Sequence, residues 1–283
     1  MTAGAQLGWD FDLPRLVRVT PAKLANWADC PRRYRMTYLD RPAPARGGAW
    51  AHATLGAVVH LALRSLFALP AARRTPSAAA ALVDKHWVGE GFRDAAQARA
   101  YRERARGWVS DYVEDGAATP TDVDDAAVAL EQWVTVSTER IVVEGRADRI
   151  DRRGDELVIV DYKTGRSPRA DEAQTSRALA LYAVAAERTL RRSCVQVELH
   201  HLPTGSVTAW RHDRASLAAH VAAAEETAAE LSAAADALAA GGEADALFPA
   251  RPAARCGSCD LRRSCPEGRA AAPEREPWAL LAP

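Results

Sequence analysis

Two short segments in the middle of this 283-residue chain place acidic residues and a lysine at spacings that suit metal chemistry. The first segment runs from Glu144 to Asp148, and the second holds Asp161 and Lys163. Alternate residues of a β-strand point to the same face, so Asp161 and Lys163 share a face, as do Glu144 and Asp148 on their own strand. If the two strands pair, two carboxylates and one ammonium group converge on one point.

The chemistry open to these residues depends on a cation. Two close carboxylates repel each other unless a cation lies between them, and their hard oxygens suit Mg²⁺ or Mn²⁺. Such an ion polarises a phosphoryl oxygen and lowers the pKa of a bound water, which a neighbouring lysine can orient. The simpler alternative is a surface ion pair between Asp161 and Lys163. Because Asp161 directly follows the apolar run Leu157–Val160, we favour the edge of a site suited to phosphodiester hydrolysis.

The segments Gly145–Asp151 and Asp161–Gly165 resemble the core of the PD-(D/E)XK nucleases, and in particular its RecB-type branch. In that branch a Gly-x-x-Asp-Arg-x-Asp strand is followed by an apolar strand that ends in Asp-Tyr-Lys-Thr-Gly, and this chain has both. The branch also carries a histidine in a Gly-x-x-x-His pattern on an upstream helix, which corresponds here to Gly56–His60. A single histidine in an apolar helix is usually a core residue, and only the family pattern makes His60 a candidate ligand.

The resemblance implies a set of roles and a fold. The implied fold is a small mixed central sheet of the restriction-endonuclease-like type. The implied metal ligands are His60, Asp148 and Asp161, and Lys163 would serve the attacking water. Glu144 is a weaker candidate for the metal site.

One helix departs from the family pattern. The family has a glutamine four residues before a tyrosine on the helix that follows the lysine strand. Tyr182 fits the tyrosine, but Ala178 occupies the glutamine position. Gln174 and Arg177 are the nearby residues that could replace it in contacting substrate or the lysine.

Four of the five cysteines form a second constellation. Cys256, Cys259 and Cys265 follow a Cys-x2-Cys-x5-Cys spacing, Cys30 is the obvious fourth ligand, and Cys194 reads as a core thiol. Spacing alone favours zinc. Nucleases similar to AddB and the CRISPR-associated adaptation nucleases also have one cysteine before the core and three after it, and they hold a 4Fe-4S cluster. This resemblance implies a structural 4Fe-4S cluster that clasps the first helix to the C-terminal segment, with zinc as the alternative.

Contacts with DNA would depend on local arginine clusters, because Lys+Arg and Asp+Glu both number 37 and the net charge is zero. Trp27 and Tyr34 could stack on unpaired bases, but their helical spacing favours a place in the core. The candidate phosphate-binding arginines lie beside Cys30 or around the other three cysteines: Arg32, Arg33 and Arg35, then Arg251, Arg255, Arg262 and Arg263.

The elements that must position these residues follow from the hydrophobic pattern. The pattern predicts a helix from residue 21 to about 35, and further helices over 50–68, 76–90, 94–117, 171–190 and 214–240. It predicts one or two strands over 131–151, a buried strand over 156–162 and a hairpin over 194–210. The fold class is therefore α/β (α+β), with a small mixed sheet flanked by helices, a helical N-terminal lobe and a cysteine-stapled C-terminal segment.

The predicted organisation is one large domain. An irregular lead covers residues 1–18, the nuclease-like domain covers 19–268 with an inserted helical lobe at about 50–130, and a flexible tail covers 269–283. No apolar stretch is long enough to span a membrane and no secretory signal is visible, so we expect a cytoplasmic protein.

The resemblance implies a stand-alone, RecB-like DNA exonuclease of repair or recombination, which acts on single-stranded DNA or on free ends. No phosphate-binding loop of the Gly-x4-Gly-Lys-Ser/Thr type is present, so any helicase would be a separate chain. The alternatives are a non-catalytic DNA-binding module of the same fold and a zinc-stapled structural protein.

Overall fold

A mixed β-sheet lies at the centre of the computed structural model, which describes residues 16–116 and 126–281. Its path is β1-β3-β4-β5-β6, and β2 pairs with β3 beside this path. The pairs β1–β3 and β4–β5 are parallel and the others are antiparallel. The strands are β1 (Val17–Val19), β2 (Ala126–Ser137), β3 (Ile141–Arg153), β4 (Glu156–Lys163), β5 (Cys194–His201) and β6 (Ser206–Arg211).

Helices cover both faces of this sheet. The helices of the described residues are α1 (Pro21–Asp29), α2 (Pro31–Tyr38), α3 (Ala51–Phe67), α4 (Pro76–His86), α5 (Ala95–Glu114), α6 (Glu172–Thr175), α7 (Arg177–Leu190), α8 (Arg214–Ala239), α9 (Ala244–Leu247) and α10 (Pro266–Ala271). The mixed α/β class and the helical N-terminal region that the sequence predicts are confirmed. None of the described helices is long and apolar enough to cross a membrane.

Two hydrophobic cores lie on opposite faces of β4. Leu157 and Ile159 pack with α1, α7 and α8, whereas Val158 and Val160 pack with α3, α4 and α5. Because alternate residues of the strand meet apolar partners on both sides, β4 is apolar throughout, as its sequence predicts. Both cores therefore hold the strand that ends in Asp161 and Lys163.

The prediction of one helix from residue 21 to about 35 is wrong in one respect, because the structure has two helices that meet at Cys30. Cys30 has extended backbone angles (φ −163°, ψ 107°) and lies between α1 and α2. The cause is Pro31, because a proline disfavours the helical conformation of the residue before it. Cys30 still caps both helices, since its amide donates to the carbonyl of Asn26 (2.9 Å) and its carbonyl accepts from the amide of Tyr34 (3.1 Å). A similar break at Ser176 divides the predicted helix over 171–190 into α6 and α7.

Both ends of the described chain are more regular than the sequence indicates. Residues 17 and 18, expected in an irregular lead, form β1 with residue 19 and pair with β3. Residues 269–281, expected in a flexible tail, lie against the rest of the protein. The amide of Arg275 donates to the carbonyl of Gly257 (2.8 Å), the amide of Ala51 donates to that of Pro277 (3.1 Å), and Leu281 packs against the core under α3–α5.

Candidate active site

The candidate site lies where β3 and β4 separate. Their antiparallel pairing runs from Arg153 opposite Glu156 to Arg149 opposite Val160. Asp148 and Asp161 are the next residues on the two strands. The backbone amide of Tyr162 donates to Oδ2 of Asp148 (3.0 Å), so the Asp148 carboxylate bridges the strands just beyond their last pair. The two acids that the sequence pairs are thus brought together.

His60 closes this opening from α3. Its Nδ1 lies 3.3 Å from Oδ1 of Asp148, and its Nε2 lies 3.2 Å from the backbone oxygen of Tyr162. A carbonyl oxygen only accepts hydrogen bonds, so Nε2 must carry the hydrogen in this contact. Nδ1, which faces Asp148, is then free to take a second proton or to bind a metal ion. The family pattern therefore identifies a histidine that adjoins the acids.

The charges of this site act on one another. Burial raises the pKa of Asp161 above its usual value, against the opposing effect of Lys163, and the nearby charge of Asp148 raises it further. For His60, burial alone would lower the pKa, but the hydrogen bond and charge of Asp148 outweigh it and raise the pKa. Partly buried acids that repel each other beside a histidine are stabilised when a cation neutralises them.

Lys163 lies at the mouth of the site. Its Nζ is 2.6 Å from Oδ2 of Asp161, as expected for residues that share one strand face. Both side chains are partly exposed, so the ammonium group can reach a substrate or water while still paired with the acid.

Glu131 is the site residue that the sequence did not reveal. One ligand atom each of His60, Glu131 and Asp148 lie within 4.8 Å of one another, and among the described residues this is the group of three that could hold a metal ion. Leu130 and Gln132 pair with Arg149 and Ala147 across β2 and β3, so Glu131 lies opposite Asp148. Only this register, and no motif around Glu131, could have identified it.

The backbone of β2 is irregular at Glu131. Its φ is 48°, a left-handed angle that costs about 1–3 kcal/mol in a residue other than glycine. Leu130 packs against the core under α3–α5, whereas Val134 belongs to the core under α7. Residues 130 and 134 would point to the same face of a regular strand, so the alternation of side chains along β2 is reversed at Glu131. This turn of the backbone brings a nearly buried carboxylate beside Asp148, and Nε of Arg146 pairs with it at 2.6 Å.

Tyr182, the candidate on α7, packs close to the two acids. A Cβ atom at Gly145 would collide with its ring, so the glycine is what lets α7 approach β3. Burial, together with the charges of Asp161 and Asp148, raises the pKa of Tyr182 to about 12. The phenol is therefore protonated at neutral pH and can donate a hydrogen bond.

Three other candidates lie elsewhere. Glu144 pairs with Arg18 (2.5 Å) on the outer part of β3. Nη1 of Arg177 donates to Oγ1 of Thr227 on α8 (3.0 Å), and Gln174 is exposed on α6. Neither of these two contacts links a side chain to the acidic site, and Gln174 is exposed, so these contacts show no substitute for the missing glutamine.

A buried polar network supports the site from the opposite side of Tyr162. Arg149, 2% exposed, pairs through Nε with Oδ1 of Asp151 (2.8 Å). Its Nη1 donates to the hydroxyl groups of Tyr112 and Tyr162 (both 3.1 Å). The side chain of Tyr162 is thus fixed by Arg149 while its backbone contacts Asp148 and His60. The Arg and the second Asp of the Asp-Arg-x-Asp pattern therefore anchor Tyr162 of β4, next to the candidate ligand Asp161.

The network continues to β5 through a neutral histidine. The hydroxyl of Tyr112 lies 2.7 Å from Nδ1 of His200, whose Nε2 lies 2.8 Å from Oε2 of Glu198. Burial lowers the pKa of His200 despite the hydrogen bond to Glu198, so the ring donates from Nε2 and accepts at Nδ1. Arg153 pairs with Glu198 (2.6 Å). The charges of this pair and of the Arg149–Asp151 pair therefore sum to zero. The helical lobe and the sheet are held together by this network.

The four cysteines predicted as ligands line one cavity of about 130 Å³ between α2 and the C-terminal segment. Burial raises the pKa of both Cys259 and Cys265. In the part of the chain that the structure describes, their sulfurs do not form a group of three within 4.8 Å. Cys194 is fully buried, which raises the pKa of its thiol to about 12 and agrees with its interpretation as a core residue.

The arginines around this cavity are engaged with the protein itself. Arg32, nearly buried, pairs with Glu267 (2.9 Å) and Asp245 (3.1 Å). The other contacts are Arg33–Asp260 (3.4 Å), Arg35–Asp245 (3.2 Å), Arg251 with the carbonyl of Ala28, Arg255 with that of Asp29 (2.5 Å) and Arg262 with that of Ala272 (2.8 Å), whereas Arg263 is exposed. Five of these seven arginines join α1 or α2 to the chain from Asp245 onward, which reduces what they can offer to phosphate. Trp27 and Tyr34 lie in the core, as their spacing favours.

Comparison with known families bears on the whole of this arrangement. A family model described as the PD-(D/E)XK nuclease superfamily matches residues 18–266. No curated protein sequence matches the chain.

Proposed function

Because the chain belongs to the PD-(D/E)XK nuclease superfamily, we propose that it is a metal-dependent DNA exonuclease of the RecB-like type. Membership itself implies a nucleic-acid substrate and a phosphodiesterase activity. The observation that carries the proposal is the convergence of two acids, a histidine and a lysine where β3 and β4 separate. A surface ion pair would not require a histidine from α3 at the same point.

The donor set fits a divalent cation. His60, Asp148 and Asp161 would hold it. Of these three, His60 and Asp148 offer ligand atoms within 4.8 Å of each other and of Glu131, which could join them. One imidazole and several carboxylates suit Mn²⁺ and Mg²⁺. When bound, such an ion polarises the phosphate and activates water for attack. The protein contributes the fixed orientation of these ligands: the Tyr162 backbone holds Asp148 and His60, and the Asp161 carboxylate holds the Lys163 ammonium group.

Lys163 would act on the substrate side of the site. Its ammonium group carries a positive charge at the exposed edge of the acidic site, where it can stabilise negative charge that develops on the phosphate or orient the attacking water. Tyr182 stays protonated, so it would donate to the substrate or to an acid of the site without becoming a base.

The test of this function is cleavage of end-labelled single- and double-stranded DNA. We expect cleavage with Mn²⁺ or Mg²⁺ and none with EDTA. A ladder that shortens from one end would show exonuclease action and its polarity, and internal cuts of a circular DNA would show an endonuclease instead. The absence of cleavage by folded, metal-loaded protein would favour a non-catalytic DNA-binding module.

We further propose that Cys30, Cys256, Cys259 and Cys265 hold a structural 4Fe-4S cluster. Their shared cavity supports this proposal. The Cys-x2-Cys spacing alone would suit zinc. The resemblance to nucleases that carry one cysteine before the core and three after it, and that hold a 4Fe-4S cluster, favours the cluster.

We predict that anaerobically purified protein is brown, with broad visible absorption and about four irons per chain. Cys259→Ser should lose the colour and melt at a lower temperature, because a metal staple contributes directly to folding. Cys194→Ser is the matched control, since Cys194 lies in the core away from the cavity, and it should keep the colour. Colourless protein with one zinc per chain would contradict the cluster.

A further inference from the structure

An exposed tryptophan lies beside the candidate metal ligands. Trp133 is on β2, two residues from Glu131, and 60% of its surface is exposed. Its partner across the β2–β3 ladder is Arg146, which is also exposed. Residues directly opposite in an antiparallel pair point to the same face, so the indole and the guanidinium group are neighbours. The exposed indole offers a flat face on which an unpaired base can stack.

The surface around Trp133 continues from the metal ligands. Arg146 pairs with Glu131, whose carboxylate lies within the group formed with His60 and Asp148. Farther along the same face of β2, Thr135 is exposed and lies opposite Glu144, which pairs with Arg18. This outer part of β2 and β3, defined here as the β2 platform (Trp133, Thr135 and Arg146), is therefore an open, polar strip with one flat aromatic ring.

We infer that the β2 platform binds the single-stranded part of a DNA substrate, with an unpaired base stacked on Trp133 and a phosphate beside Arg146. This inference rests on the proposed function and extends it to the choice of substrate. A base can stack on a side chain only when its own face is free, as in single strands, whereas a duplex hides these faces. Arg146 pairs with Glu131 through Nε, but its side chain is 54% exposed, so the outer part of the guanidinium group can meet a phosphate. The same contact with Glu131 links the bound strand to the proposed metal ligands.

The platform separates single strands from duplexes by stacking. Loss of one stacked base typically weakens binding by roughly 5- to 100-fold, and the loss does not depend on base identity. A duplex would contact only Arg146, so its binding would not depend on Trp133. The structure therefore assigns to Trp133 a preference for single-stranded substrates over duplexes.

The experiment compares three variants with the intact protein. Trp133→Ala removes the ring and Trp133→Phe keeps a smaller one. Trp210→Ala is the matched control, because Trp210 is a partly exposed tryptophan on β6, at the far end of the strand path. Each protein is tested by fluorescence anisotropy with labelled single-stranded and duplex oligonucleotides in EDTA, and by cleavage of both with Mn²⁺. Thermal melting checks that each variant is folded.

We expect Trp133→Ala to weaken single-strand binding by roughly 5- to 100-fold and to raise KM on that substrate, with little effect on duplex. Trp133→Phe should restore most of the affinity, and Trp210→Ala should match the intact protein. Equal single-strand affinities for Trp133→Ala and Trp210→Ala, or equal losses on single strand and duplex, would overturn the inference. Those results would leave metal-dependent cleavage by the intact protein standing, whereas failure of the proposed function would appear as no cleavage by any of the four proteins.

Discussion

Replacing Asp148 by Asn is expected to lower the rate of DNA cleavage by more than about 100-fold. Loss of a partner that only orients a metal ligand typically costs about 10- to 100-fold, and Asp148 is proposed as a ligand itself. Its Oδ1 faces His60 Nδ1, and its Oδ2 accepts from the Tyr162 amide. An amide of the same shape has one oxygen and no charge, so it cannot keep that hydrogen bond and also offer an anionic ligand.

The loss should be seen both in cleavage and in metal binding. Mn²⁺ affinity, measured by calorimetry or by electron paramagnetic resonance, is expected to fall in parallel with the cleavage rate. The matched control is Glu144→Gln, because Glu144 is an acid on the same strand that pairs with Arg18. That variant should stay within about two-fold of the intact protein, as expected for a surface ion pair. Normal activity of Asp148→Asn, or an equal loss in both variants, would contradict the assignment.

Replacing Arg149 by Met is expected to lower the free energy of unfolding by about 3–5 kcal/mol, the usual effect of removing one partner from a buried ion pair. Arg149 is nearly inaccessible to solvent and pairs with Asp151. Its Cζ also lies 4.4 Å from the centre of the Phe67 ring. Met fills similar space, but it leaves the Asp151 carboxylate and the two tyrosine hydroxyls with fewer partners.

Urea denaturation followed by circular dichroism measures this loss. Arg192→Met is the matched control, because Arg192 pairs with a fully exposed Asp155, and its effect should stay within about 0.5 kcal/mol. Equal effects of the two substitutions would show that the Arg149 network contributes no more than a surface ion pair. We also expect slower cleavage by Arg149→Met below its melting temperature, because Arg149 fixes the side chain of Tyr162.

The sequence could predict those parts of the site whose geometry is local. Asp161 and Lys163 share a face by strand alternation, and the apolar run before them identifies a strand buried on both sides. His60 could be found only through the family pattern, because nothing on α3 itself distinguishes it from a core histidine. The break at Cys30 was open to prediction, since Pro31 follows it directly.

The parts that the sequence could not show depend on distant pairing. Glu131 reaches the site through the register of β2 against β3 and through a left-handed backbone angle. β1 has three residues, too few for a clear pattern, and its partner strand begins more than a hundred residues later. The sequence shows that Arg32 lies close to Cys30, but it does not show what pairs with Arg32. Asp245 and Glu267, which neutralise it, lie more than two hundred residues farther along the chain.

The most direct test of the central claim is cleavage of end-labelled DNA with Mn²⁺ by the intact protein and by Lys163→Ala, assayed side by side. Lys163 is partly exposed at the edge of the site, so its removal should leave the fold unchanged. We predict metal-dependent cleavage by the intact protein and its loss in the variant, with Mn²⁺ still bound. Equal cleavage by both proteins, or cleavage that persists in EDTA, would contradict the proposed active site.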